Sequence, residues 1–91
     1  MCTMIVEKVA VNGSGKGVNG WFQLEQASVS YDHPFHAPFE HALNIDFVNE
    51  SQGLGSRVAV ELSAQAARDL VRTILTVLDQ AEQGGHLESH R

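Results

Sequence analysis

The sequence contains a single cysteine, Cys2, and no long hydrophobic run. One cysteine cannot form an intramolecular disulfide, which excludes a secreted disulfide-stabilised scaffold and favours a reducing cytoplasm. The first residues lack the basic segment and sustained apolar run of a signal peptide, and no apolar stretch is long enough to span a bilayer. We therefore expect a cytoplasmic protein, stabilised by good packing, by oligomerisation or by a metal ion.

Basic residues are also scarce. Six lysines and arginines are scattered among eleven acidic residues, which gives a formal net charge of −5. Binding to phosphate backbones or to anionic lipid requires clustered cations that replace counterions. We therefore expect neither nucleic acid nor membrane as a partner.

The chain is nevertheless composed like a folded protein. It has 91 residues, of which 43% are hydrophobic, so a single ordered domain is expected. We assign this domain to residues 1–85 and expect residues 86–91 to form a flexible C-terminal tail. A domain of this size buries only about 60% of its unfolded surface and is marginally stable without further support.

Alternating apolar residues predict four strands. Residues 3–11 form the first, which ends at a glycine-rich turn over residues 12–17, and residues 21–31 form the second. The alternation of the second strand changes phase between Leu24 and Ala27, which predicts a β-bulge or a change of face. Leu43, Ile45 and Phe47 predict the third strand; Val58, Val60 and Leu62 predict the fourth.

A single helix follows the strands. Ser63 is a favourable N-cap and Gly84-Gly85 a favourable end. Between them, apolar residues recur at spacings of three and four, the period of an amphipathic helix: Ala67, Leu70, Val71, Ile74, Leu78 and Ala81. The predicted fold class is α+β: a four-stranded, mostly antiparallel sheet followed by one C-terminal amphipathic helix packed on one face.

This arrangement leaves apolar surface without a partner. One helix covers one face of the sheet, and Leu75 and Val77 widen the helical stripe beyond what one small sheet needs. A homodimer or higher oligomer would bury this excess. The alternative is a twisted sheet with a polar outer face.

The most unusual segment in chemical terms is a loop rich in histidine and proline. His33, His36 and His41 fall within one short stretch that Pro34 and Pro38 stiffen. Imidazole is the commonest metal ligand, and three imidazoles with an open position form a catalytic metal site. The spacing therefore predicts a site for a divalent ion, with Zn²⁺ or Fe²⁺ as the metals that suit it.

Nearby residues could support or replace this site. Asp32 and Glu40 flank the histidines and could orient an imidazole ring or act in catalysis. Cys2 could serve as a nucleophile or as a further ligand if Met1 is removed. A metal-free enzyme that uses a histidine or Cys2 remains an alternative, as does a purely structural loop.

Several motifs together resemble a known family. They are Met1-Cys2-Thr3, the segment from Gly13 to Gly17, Gly20-Trp21-Phe22, the histidine loop, residues 40–49, and Val60 to Ser63 before the helix. This pattern is similar to a family of short bacterial proteins of unknown function, DUF6295, over residues 1–85. The resemblance implies no activity, but the initial Met-Cys and the histidine loop are typical of that family.

Three hypotheses about function follow from the residues. The first is a small metal-binding protein, with or without metalloenzyme activity, in which His33, His36 and His41 are the ligands. The second is a non-catalytic homodimeric module for binding or assembly, in which the histidine loop is structural. The third is a metal-free enzyme. A small-molecule ligand is compatible with all three hypotheses.

Overall fold

The computed structural model describes residues 5–53 and 55–85 of the chain. Four strands form one antiparallel sheet in sequential order, and they are β1 (Ile5–Gly17), β2 (Gly20–Asp32), β3 (Ala42–Val48) and β4 (Arg57–Leu62). A short 3₁₀ helix (Glu50–Gln52) lies between β3 and β4, and α1 (Ala64–Gln83) follows β4. The predicted α+β fold class is confirmed. The predicted tail, residues 86–91, lies outside the described residues.

The first hairpin differs from its prediction at the turn. The glycine-rich segment 12–17 belongs to β1, and the chain reverses at residues 18 and 19, between the paired Gly17 and Gly20. Gly20 has a φ of +108°, which favours glycine. A Cβ on Gly17 would lie 2.9 Å from the carbonyl oxygen of Gly55, so only glycine allows this close approach. The glycines therefore do not end β1. They allow the strand to continue past its close contact with the carbonyl oxygen of Gly55.

The irregularity predicted from β2 is present at this point of the hairpin, but its extra residue belongs to β1, where Val11 and Asn12 lie opposite Glu25. The register between β1 and β2 shifts between Ala10 and Gly13, opposite the segment where the alternation of β2 changes phase. A Cβ on Gly15 would lie near both Leu24 and Val58, which shows that Leu24 lies close to β4 at this end of the hairpin. The bulge thus bends the hairpin toward β4.

The register divides the sheet into two chemically different faces. On the apolar face, three rows cross β2, β3 and β4: Tyr31–Leu43–Leu62, Val29–Ile45–Val60 and Ala27–Phe47–Val58. On the polar face, the corresponding rows are Ser30–Asn44–Glu61 and Ser28–Asp46–Ala59. Alternation along each strand produces this separation.

Helix α1 begins and ends as predicted. The Ser63 hydroxyl accepts a hydrogen bond from the backbone N–H of Ala66 at 3.1 Å, which satisfies an otherwise unpaired donor of the first turn. Gly84 and Gly85 close the last turn, and Gly85 has a φ of +76°. The Ser63 N-cap and the glycine end are both confirmed.

The core of the described chain is small. Its buried hydrophobic residues are Ala27, Ala42 and Ala67, and no larger apolar side chain is buried in the described ranges. The Cα radius of gyration is 15.1 Å, whereas a compact domain of this length has about 12 Å. Ala67 is the one buried residue of α1, so the helix contacts the sheet mainly through its first turns. The single chain therefore leaves many large apolar side chains exposed to water.

Candidate functional site

The histidine loop, defined here as residues 33–41, connects β2 to β3 at one end of the sheet. The His41 ring has two aromatic neighbours. It stacks on His33 with 4.7 Å between ring centroids and on Tyr31 with 5.8 Å. One ring nitrogen of His33, Nδ1, is 2.7 Å from the carbonyl oxygen of Glu40. Ring stacking and this backbone contact hold the loop closed on itself.

A second contact fastens the loop to β4. The Glu61 carboxylate accepts hydrogen bonds from three successive backbone N–H groups: those of Phe35 at 2.6 Å, His36 at 3.0 Å and Ala37 at 2.8 Å. Successive N–H groups that point to one centre form a binding site for an anion. The hydrogen bonds from Ala37 and Phe35 are the main reason that the pKa of Glu61 lies below its ordinary value. The Glu61 carboxylate is thus the anion that occupies this backbone site.

The interpretation of this loop as a metal site is wrong. Across residues 5–53 and 55–85, no three His, Cys, Asp or Glu residues form a group that could hold a metal ion. The rings of His33 and His41 are stacked with 4.7 Å between centroids and 24° between planes, so their nitrogen lone pairs lie in separate, nearly parallel planes. The backbone of His36 is held at Glu61 by a hydrogen bond. The three imidazoles do not form a site for one ion, so the metalloprotein hypothesis is wrong.

The candidate catalytic residues have different surroundings. Asp32 ends β2, and its Oδ1 accepts a hydrogen bond from the backbone N–H of His33 at 2.7 Å. Glu40 is exposed in the loop and contributes its carbonyl oxygen to His33. Cys2 lies outside the described residues. Catalytic roles for these three residues stay predictions.

Asn44 and Asp46 belong to the polar face, as strand parity predicts. They line a cavity of about 210 Å³ beside the histidine loop. Asp46 accepts two hydrogen bonds from Arg57, from Nε at 2.7 Å and from Nη2 at 3.1 Å. This ion pair raises the pKa of Arg57 and closes the far end of the cavity. The cavity wall is therefore fastened at one end by Glu61 and at the other by Arg57.

A larger groove lies on the opposite face of the sheet. It separates α1 from the apolar face and has a volume of about 600 Å³. Val29, Leu43 and Ile45 line it from the sheet. Ala64, Ala67, Arg68 and Val71 line it from the helix. Arg68 is exposed to solvent and also lines this groove.

Two residues of these sites were not identified from the sequence. Glu61 was missed because its three donors lie 24 to 26 residues away, and nothing local marks a carboxylate at the end of a strand as an anchor. Arg68 was missed because its helical position shows only that it lies beside Ala67, and the open groove depends on how α1 leaves the sheet. Helical periodicity gives no information about that angle.

Comparison with known proteins identifies the family of the chain but no activity. In the described part of the chain, no helix has the length and hydrophobicity needed to cross a membrane. No curated protein and no solved structure matches the sequence. Residues 1–87 match the family described as a family of unknown function, DUF6295. The chain belongs to this family, as its motifs indicated.

Proposed function

We propose that this protein is a self-assembling module whose copies associate through α1. The observation that carries the proposal is the exposed apolar stripe of a helix that contacts its own sheet mainly through its first turns. Six large apolar side chains of α1 are between 43% and 58% exposed: Leu70, Val71, Ile74, Leu75, Val77 and Leu78. Contiguous apolar surface of this kind marks an interface on a soluble protein.

The stripe contains a seam suited to pairing with a second helix. Leu70, Ile74, Val77 and Ala81 are spaced by four, three and four residues, which is the repeat of packed helical pairs. At 100° per residue, Leu70 and Val77 lie about 60–80° around the helix from Ala67. The groove-lining Ala64, Arg68 and Val71 lie on the other side of Ala67. Ile74 and Ala81 lie nearer to Ala67, so the seam is centred about 50° around the helix from it, on the side opposite the groove.

The available area supports a dimer of ordinary size. Without the groove-lining Val71, the five other apolar side chains, each about half exposed, offer on the order of 400 Å² per subunit, and a standard interface uses about 800 Å² per partner. Polar residues that flank the seam on α1 would supply the remainder as the rim of the interface. A two-fold axis would place the same seam on both subunits, so each helix would cover the other.

The histidine loop is structural in this proposal. Its contacts join β2, β3 and β4 at the end of the sheet where α1 begins. Firm anchoring there sets the direction in which the helix leaves the sheet. Cys2 as the only cysteine supports a reducing compartment such as the cytoplasm for this assembly. The net charge of −5 supports a partner other than nucleic acid.

Sedimentation velocity of the intact chain over a range of concentrations tests the proposal. The wild type is expected to sediment as a dimer, and Val77→Glu is expected to shift it to the monomer, because a charge in an apolar seam opposes association. Val77 is 58% exposed in one subunit, so the substitution does not disturb the fold of a monomer. Thr76→Glu adds the same charge about 180° from Ala67 on the helix and is expected to leave the dimer intact. A monomeric wild type, or equal effects of the two substitutions, would refute the proposal.

A further inference from the structure

The groove between α1 and the apolar face has the size and lining of a small-molecule site. Its volume of about 600 Å³ falls in the range of ligand pockets, which are about 300–1,000 Å³ and mostly apolar with a few polar groups. Aliphatic side chains line it from two strands and from the helix. A ligand that fills this space would therefore present mainly hydrocarbon.

Positive charge is found at one place along the groove. Among the described residues that line it, Arg68 is the one charged side chain, and no carboxylate lines it. Arg72, one turn further along α1, forms an ion pair with Asp69. Arg68 forms no ion pair with any residue of the described ranges. An arginine that lines an apolar groove without an acidic partner is suited to bind a carboxylate.

Two further features favour a negative group at this end of the groove. Ala64 and Ala67 belong to the first turn of a 20-residue helix, where the backbone dipole is positive. Tyr31 also lines the groove, and its hydroxyl can donate a hydrogen bond. Apolar walls and a cationic end together select an amphipathic molecule.

We propose that this groove binds an amphipathic carboxylate, a molecule with a hydrocarbon body and one carboxylate group held by Arg68. The hydrocarbon lies against Val29, Leu43, Ile45 and Val71, where it removes apolar surface of the protein from water. The seam proposed for self-association lies on another side of α1. Ligand binding and association therefore use different surfaces, and this inference does not depend on the dimer.

Decanoate below its micellar concentration is the probe, and calorimetric titration of the intact chain is the measurement. Saturable binding is expected. Decyltrimethylammonium, which has the same chain and the opposite charge, is expected to bind at least tenfold more weakly. Absence of saturable decanoate binding, or equal binding of the two amphiphiles, would overturn the proposal.

Two arginine variants test the role of charge at the groove. Arg68→Gln is expected to weaken decanoate binding about tenfold or more and to remove the preference over the cationic amphiphile. Arg72→Gln removes the same charge one turn away, outside the groove, and is expected to leave the affinity within about twofold. Equal losses in the two variants would show a general effect of net charge and contradict a site at Arg68.

The methyl signals of the protein in nuclear magnetic resonance spectra locate the ligand. Decanoate is expected to shift those of Val29, Ile45 and Val71 and to leave those of Val77 unchanged. Sedimentation in saturating decanoate separates this proposal from the previous one. An unchanged assembly state is expected, whereas dissociation of a dimer by decanoate would show that a second copy fills the groove and would overturn the assignment.

Discussion

The Glu61 carboxylate accepts a hydrogen bond from the backbone N–H of Ala37 across 2.8 Å, although the residues lie 24 positions apart. This contact and those to Phe35 and His36 join the histidine loop to the last strand. Glu61 lies two residues before Ser63, which caps α1. One carboxylate thus connects the loop to the point where the helix begins.

Replacing Glu61 with glutamine is expected to loosen the histidine loop. Glutamine retains one acceptor oxygen but loses the negative charge, and hydrogen bonds to a charged acceptor are about twice as strong as neutral ones. The backbone amides of Phe35, His36 and Ala37 should exchange with solvent several-fold faster, as measured by hydrogen–deuterium exchange. Glu40→Gln is the matched control, because its side chain makes no hydrogen bond within the described ranges. Unchanged exchange in Glu61→Gln would contradict the anchor.

The same contact predicts a dependence on pH. The hydrogen bonds hold the pKa of Glu61 below its ordinary value, so the folded protein favours the ionised form. This contribution to stability is complete above the pKa of the unfolded chain and is lost as the pH falls through the lowered pKa of the folded state. The difference in melting temperature between wild type and Glu61→Gln should therefore be constant near neutrality and shrink in acid. A difference that grew in acid would reverse the assigned sign.

Asn49, the N-cap of the 3₁₀ helix after β3, is the buried polar residue of the described chain and is expected to be sensitive to substitution. It is 7% exposed, its Nδ2 donates to the carbonyl oxygen of Gln23 at 2.9 Å, and its Oδ1 accepts from the backbone of Ser51. Asn49→Ala would remove both hydrogen bonds, each worth about 0.5–1.5 kcal/mol, and is expected to lower the free energy of unfolding by about 1–3 kcal/mol. Urea denaturation at fixed protein concentration measures this loss.

The control for Asn49 is Asn12→Ala. Asn12 is exposed on β1, and its side chain makes no hydrogen bond within the described ranges. A surface change of this kind usually alters the free energy of unfolding by less than about 0.5 kcal/mol. Similar losses for the two variants would mean that the contacts of Asn49 contribute no more than an exposed amide.

The N-cap residue Ser63 is expected to stabilise α1, and a second substitution at the same position should restore the stability that the first one removes. Ser63→Ala removes the acceptor for the Ala66 N–H and is expected to lower the free energy of unfolding by about 1 kcal/mol. Ser63→Asn keeps an acceptor at the same position and should recover most of the loss. If urea denaturation showed equal stability for the alanine and asparagine variants, the cap would be irrelevant to folding.

The regular elements were predictable because their causes are local. The period-two alternation of Leu43, Ile45 and Phe47 and the helical spacing after Ser63 depend on neighbours within a few residues. The bulge was also visible, as a change of phase between Leu24 and Ala27. The turn of the first hairpin was misplaced because the glycines that suggest a turn serve a distant contact, in which Gly17 passes the carbonyl of Gly55.

The candidate site was less predictable because composition does not determine direction. Three imidazoles and two prolines in one loop suggested convergence on an ion. The prediction that these residues lie together in one loop was correct. However, His41 stacks on His33 and Tyr31, and the Glu61 carboxylate holds the loop backbone. Both arrangements use partners that the local sequence does not indicate.

By itself, the sequence determined the four strands, the capped helix and the family, because alternation, capping and motif order are short-range properties of the chain. The tertiary structure decided the hydrogen-bond partners of polar side chains such as Glu61 and Asn49, because those partners lie far away in the sequence. It also decided that α1 leaves the apolar face after its first turns. That departure opens the groove beside Arg68 and exposes the seam, because a helix that contacts its sheet at one end cannot bury its whole stripe.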